Sequence, residues 1–265
     1  DFDPEDLLNP DYLENNNGYP GQSIFRHSNG SLIIPVTNSR IPADVEDAPL
    51  GRTVWPTKGT IGSHCFVGRW NKDKQAYDWQ AGKPAWLLRE TAYNGLLEAD
   101  VAELTDGRVL IVWRVTRYKD SPACKYYGVS SDGGLTFTKP RPFTYSNGAN
   151  FFSTSTFHRL FRSSKTKKLY WIGNIAPEKP TNAGHPRYPL IIGEIDEETL
   201  GLKKETVTEV DTRHEGEGKM LQLSNFWIIE HSKTHDLEVY LTRLYENPDE
   251  LFTANCYKYT VTFNE

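Results

Sequence analysis

One stretch of the chain constrains its fold more than any other: Ser130-Ser131-Asp132-Gly133-Gly134-Leu135-Thr136-Phe137. Two adjacent glycines supply the positive φ that a tight reversal demands. The aspartate before them can accept hydrogen bonds from backbone N–H groups of the same turn. Ser130 and Thr136 can bond across it, and Phe137 offers an apolar plug. The pattern predicts a self-braced hairpin turn between short antiparallel strands. Asp132 is read as a structural residue and not a catalytic one.

Strand signals dominate the remainder. Ser31-Leu-Ile-Ile-Pro-Val36, Arg108-Val-Leu-Ile-Val-Trp-Arg114, Lys168-Leu-Tyr-Trp-Ile-Gly173 and Leu237-Glu-Val-Tyr-Leu-Thr-Arg243 are short β-branched or aromatic runs. Turn residues precede most of them, as in Asn29-Gly30, Asp106-Gly107 and His235-Asp236. They recur about every 60 to 80 residues, room for about four strands and their loops each. Such a recurrence fits a β-sandwich as well as a propeller. Tyr257-Lys-Tyr-Thr-Val-Thr-Phe263 alternates as a half-buried strand should. The one helical expectation is a single turn over residues 197–202. Residues 1–21, acidic and rich in Asn and Pro, are expected to be an irregular lead-in, with one domain over residues 22–265.

The Ser130–Phe137 pattern is an Asp-box, and with it the chain resembles the sialidase superfamily of Asp-box (BNR-repeat) propellers. Gly18-Tyr-Pro-Gly-Gln-Ser-Ile24 followed by Ser28–Pro35 is similar to a family loop leading into a turn and an apolar strand. Glu98 to Arg114 is similar to the family segment that runs from a glutamate through an Asp-Gly-Arg turn to a strand ending in arginine. Pro186-Arg187-Tyr-Pro-Leu190 resembles a later arginine segment, and also stretches of bacterial sialidase-like proteins of unassigned substrate. The resemblance covers roughly residues 18–243. It implies an all-β fold, a sialidase-like β-propeller of the six-bladed type, of which four repeats are recognisable. The family's first one or two blades, which carry one arginine of a triad and an aspartate, have no match. The chain is a fragment or a propeller of fewer blades.

The resemblance implies a site as well. Arg114 and Arg187 match two of three arginines that clamp a substrate carboxylate, which guanidinium forks bind bidentately; Arg117 is the candidate third. Glu98 matches the glutamate of the acid/base pair, with Asp100 as a backup on the same strand. His185 is a further candidate proton carrier, and His64 flanks the same loops. The family's tyrosine nucleophile is missing from Met220-Leu-Gln-Leu-Ser-Asn-Phe-Trp227, so no turnover is expected in a conventional sialidase assay. His214, Glu217 and Glu230 are nearby alternatives, although solvated loop positions are the commoner fate of such residues.

The resemblance points to a glycan partner, most simply an anionic one, with secretion or the periplasm as the compartment. Seven Trp and fourteen Tyr suit both β-structure and sugar stacking. A net charge of −5 and no basic block argue against nucleic acid. No apolar run approaches the length of a membrane span. Cys65, Cys124 and Cys256 are widely spaced and odd in number, which argues against a disulfide framework and a zinc site; no cofactor or metal is expected. Two functions remain open: an enzyme acting on an anionic glycan, by hydrolysis or uronate-type elimination, and a glycan-binding propeller without chemistry.

Overall fold

The computed structural model describes residues 18–38, 61–87, 91–117, 122–250 and 252–263. Strands β1 (Gly18–Pro20), β2 (Phe25–Arg26), β3 (Leu32–Asn38), β4 (Gly62–Asn71) and β5 (Ala76–Ala81) form the first sheet. The second is β6 (Ala92–Glu103), β7 (Val109–Arg117), β8 (Tyr126–Ser130) and β9 (Arg141–Pro142). The third is β10 (Arg159–Arg162), β11 (Leu169–Asn174), β12 (Leu190–Asp196), β13 (Gly201–Leu202) and β14 (Thr208–Asp211). The fourth is β15 (Gln222–Glu230), β16 (Leu237–Leu244) and β17 (Ala254–Val261). All named pairings are antiparallel.

The sheets are the blades of a β-propeller. The described residues build four blades. Each of the four apolar runs read from sequence is a central strand of one blade: β3, β7, β11 and β16. β7 and β11 are buried on both faces along most of their length, whereas β16 buries alternate residues; the core lies between sheets. Trp113 of β7 and Trp171 of β11 are both fully buried there. Strand β6 packs against β3 and β4 on one side and β10 on the other.

Two expectations need revision or restriction. Part of the supposed lead-in, Gly18–Pro20, is a strand paired with Val36–Asn38; residues 1–17 lie outside the described residues. The 197–202 segment makes one turn closed by Leu200 N–H to Asp196 O at 2.7 Å. Its last two residues then pair as β13, and the single short 3-10 turn falls later, at Lys204–Thr206. Cys65 and Cys124 are buried free thiols and Cys256 an exposed one. Among the described residues no helix is long and apolar enough to cross a membrane.

Ser130–Phe137 is a turn between β8 and β9. Asp132 accepts from Ser130 Oγ at 2.6 Å, Thr136 Oγ1 at 2.6 Å, and the N–H groups of Leu135 and Thr136 at 3.1 and 2.9 Å. Gly133 and Gly134 take φ of 75° and 96°. Burial pushes the Asp132 carboxyl up, but the hydrogen bonds from Ser130 and Thr136 hold it below the usual range. Phe137 sits edge-on to Trp113, ring centroids 6.0 Å apart. The turn also joins two blades, since Lys83 N–H donates to Leu135 O at 2.7 Å.

Candidate functional site

A polar path crosses all four blades at one end of the propeller. It begins at Thr37 near the end of β3, whose Oγ1 accepts the Glu98 N–H at 2.9 Å. Glu98 Oε2 accepts from Arg114 Nη1 at 2.6 Å, with both side chains about a quarter exposed. Arg114 Nε donates to Ser155 Oγ at 2.9 Å, and Ser155 Oγ also meets Thr116 Oγ1 at 2.7 Å. Next to it, Thr154 Oγ1 donates to Pro186 O at 2.8 Å. Arg187 follows. Its Nε donates to Gly184 O at 2.9 Å and its Nη1 to Gln222 Oε1 at 2.9 Å.

The backbone explains why Glu98 faces this path. Gly95 has φ of 71°, and a Cβ there would lie 1.9 Å from Ile61 O; no other residue fits. The β6–β7 register slips between Ala92 and Leu96 and again between Leu97 and Asp100. Glu98 sits in the second slip with φ of 37°, a costly setting for a side-chain residue. The bulge re-aims the strand. It also breaks the alternation that would otherwise give Glu98 and Asp100 one surface.

Asp100 therefore leaves the site. It is 0% exposed. Its carboxylate accepts from Arg159 Nε at 3.1 Å, Leu160 N–H at 2.8 Å, Val101 N–H at 3.1 Å and the Ser23 hydroxyl. These bonds tie three blades together at their inner strands and leave no access for substrate, which corrects the catalytic reading of Asp100. Arg117 is also re-read. It lies three residues from Arg114 on one strand, so the two point to opposite faces. Its Nη2 holds Pro180 O at 2.8 Å, anchoring the loop that carries Arg187.

The arginine pair is electrostatically coupled. Burial lowers the Arg187 pKa, Arg114 lowers it further, and Glu98 and Tyr245 pull it back; the guanidinium still carries its charge. Two arginines facing one glutamate leave a cationic site in an acidic chain. Nη2 of Arg114 and of Arg187 makes no hydrogen bond among the described residues. His185, two residues before Arg187, is half-buried. Burial first, and Arg187 second, push its pKa down, so it is neutral at pH 7. Its Nδ1 is buried without a partner.

Three residues escaped the sequence reading. Tyr19 of β1 pairs across strands with Thr37. Burial raises its pKa, the Glu98 charge raises it further, and Thr37 and Arg114 oppose. Tyr245 follows β16 and lies within electrostatic reach of Arg187. The Met220–Trp227 segment does lack a tyrosine, but two tyrosines arrive from elsewhere in the chain. Lys125 is the third, fully buried. Its Nζ donates to Thr154 O at 2.7 Å, Thr156 O at 2.6 Å and Thr156 Oγ1 at 3.2 Å, so it grips the backbone on both sides of Ser155. Burial and then Arg114 push its pKa well down. The other acidic alternatives are structural. Glu217 is held by Arg243 and His214, and Glu230 accepts the Ser164 N–H at 2.7 Å.

A protein of unknown function from Dyadobacter fermentans superposes with a TM-score of 0.57, at 14% identity over 92% of this chain and 53% of its own. A point mutant of the NanB sialidase from Streptococcus pneumoniae gives a TM-score of 0.54, at 17% identity over 92% of this chain and 31% of its own. A ligand complex of the same sialidase gives 0.53 at 16% identity, with the same coverage. The fold is sialidase-like. No family model matches the sequence, and no curated protein matches it. The chain spans about half the length of the first of these structures and about a third of the sialidase. The Glu98–Arg114–Arg187 path runs through the β6 bulge, β7 and the segment just before β12.

Proposed function

We propose that the chain is a carbohydrate-active enzyme of the sialidase superfamily, its blades part of a six-bladed type of propeller, that acts on an anionic glycan. The observation that supports this most is the convergence of Arg114 and Arg187 with Glu98 along one hydrogen-bonded path. In this reading the free Nη2 donors of the two arginines bind a substrate carboxylate. Glu98 moves the proton, and Tyr19 is the phenol that exchanges a proton with it. A phenol between a carboxylate and an anionic sugar separates two like charges that would otherwise repel. His185, neutral beside Arg187, is a second proton carrier.

Sialosides, uronides and rhamnosides screened with the purified chain test the reading. Turnover on an anionic substrate is expected, reduced on the order of 100-fold or more by Glu98→Gln, which removes proton exchange at nearly constant shape. Arg187→Ala should chiefly raise KM, through lost carboxylate binding. Binding of glycan without turnover would instead assign a glycan-binding propeller. Turnover unchanged in Glu98→Gln and Tyr19→Phe would overturn the proton-transfer roles.

A further inference from the structure

A second cleft lies at the other end of the first blade. Its volume is about 700 Å³, and Arg26, Arg69, Lys72, Trp70, Tyr77 and the Asn29-Gly30-Ser31 turn line it. That turn precedes β3, whereas Tyr19 and Thr37 sit at the far end of the same strand, roughly 20 Å away at about 3.3 Å per residue. The cleft is therefore separate from the Glu98–Arg114 path.

Two features define what it can hold. The first is charge. No acidic side chain lines it, and Arg26, Arg69 and Lys72 make no ion pair among the described residues. Asp78 stands opposite Arg69 on the neighbouring strand, but Lys74 Nζ and Asn71 Nδ2 each hold its carboxylate at 2.7 Å. Arg26 and Lys72 thus bring cations without an ion pair to the aromatic face, with Arg69 behind them on the opposite face of β4, on a chain whose net charge is −5. The second feature is an aromatic row. Trp70 and Tyr77 meet edge to face at 5.1 Å, and Tyr77 and Trp79 lie 5.7 Å apart. Trp79 lies over Gly68, where a Cβ would come within 2.7 Å of the ring. Trp70 and Trp79 are 48% and 49% exposed.

We infer that this cleft is a second saccharide site, specific for a sugar unit bearing a carboxylate or sulfate. Indole and phenol rings present flat apolar faces to the C–H face of a pyranose. Arg26, which the register through Leu32 and Gly68 puts on the aromatic face, and Lys72 at the turn meet the acidic substituent. A phosphate polymer fits less well, because three cations neutralise few phosphates and the aromatic row would have no role on its backbone.

The test uses the Arg187→Ala chain, so that the site proposed above is disabled. A chondroitin sulfate tetrasaccharide, which carries both carboxylate and sulfate, is titrated in by calorimetry at low salt. Chitotetraose, inorganic sulfate and an oligothymidylate of equal charge serve as comparison ligands. Binding is expected, weakened about tenfold or more by Trp70→Ala and by the Arg26→Ala/Lys72→Ala double variant, and weakened by added salt. The comparison ligands should bind about tenfold less tightly or worse. These positions are exposed, and unchanged thermal melting establishes that the variants fold. No binding of the tetrasaccharide, binding indifferent to Trp70→Ala, or equal binding of sulfate or oligothymidylate would each overturn the proposal. None of these outcomes depends on whether the Glu98 site turns over substrate.

Discussion

Glu98 and Asp100 are two residues apart on one strand, and each meets an arginine, yet they belong to different kinds of structure. Asp100 is sealed among the inner strands with four donors on its carboxylate. Glu98 is part-exposed, with one arginine on its carboxylate and a second guanidinium nearby. In the first the carboxylate is fully satisfied and closed to solvent, although Arg159 Nη1 is buried without a partner; in the second the pair stands part-exposed. Buried charge that is fully paired stabilises a fold only while complete. Unmatched cations on an accessible face are what a ligand anion would complete. The bulge between the two residues separates scaffold from site.

Breaking the closed side should give the largest effect. Asp100→Ala leaves Arg159 buried and uncompensated, and removal of one member of a buried pair costs about 3–5 kcal/mol. Arg159 also rests on the Trp227 ring at 4.4 Å, which tempers its need for a partner. Urea unfolding measures the loss. A change below about 1 kcal/mol would mean that the knot is not structural and would restore Asp100 as a site candidate.

Lys125 lies between the two regimes: buried like Asp100, but acting on the open site. Lys125→Met removes the donor from Thr156 O, whereas Thr154 O keeps the Thr156 N–H at 2.7 Å, with an expected cost of about 2 kcal/mol. Because Ser155 receives Arg114 Nε, binding of an anionic glycan should weaken alongside, and Lys125→Arg should not restore it, the cavity being too tight for a planar fork. Loss of stability with unaltered binding would remove Lys125 from the site's support.

Acid sharpens the contrast again. His158 donates through Nε2 to Val112 O at 3.1 Å, and its Nδ1 is buried without a partner. Burial, then Lys125, push its pKa well below 6.5. His64 and His185 are lowered as well. Below the unfolded value near 6.5 the unfolded chain binds more protons than the folded one, so stability falls as pH drops. The slope is at most about 1.4 kcal/mol per pH unit for each group. Urea midpoints at pH 7 and pH 5 should differ, and His158→Gln should flatten part of that difference.

The sequence made the scaffold readable because local rules write it. Apolar runs after Asn-Gly, Asp-Gly and His-Asp turns mark the central strands β3, β7 and β16 in that order, and β11 is legible from its aromatic-aliphatic run alone. The Ser130–Phe137 turn is closed by its own side chains. Arg114 and Arg187 were named through motif as strand-end residues; Arg114 lies within β7 and Arg187 just before β12. Asp100 was misread because a bulge with a non-glycine residue at positive φ has no signature in composition. Tyr19 and Tyr245 reach the site through long-range pairing. A count of strand direction finds the latter: β16 runs antiparallel to β15, so its end returns to the edge where Gln222 meets Arg187. Lys125 had a weaker signal, as a lone charge between Cys124 and Tyr126 in an apolar stretch.

The smallest effect on stability is expected at the residue with the largest effect on function. Glu98→Gln keeps the side-chain volume and an oxygen to receive Arg114 Nη1. The ion pair it removes is part-exposed, and such pairs contribute about 0–1 kcal/mol. Its backbone cost, the φ of 37°, is the same for glutamine, so the bulge stays. The urea midpoint should therefore move far less than in Asp100→Ala, two residues away, while turnover, under the proton-transfer role proposed for Glu98, falls on the order of 100-fold or more. Anion binding should persist or rise, because one negative charge has left a place where two guanidinium groups remain. Measuring stability, glycan affinity and turnover on the same Glu98→Gln preparation separates these outcomes. A large loss of stability would place Glu98 with Asp100 as scaffold and would dissolve the distinction between the two.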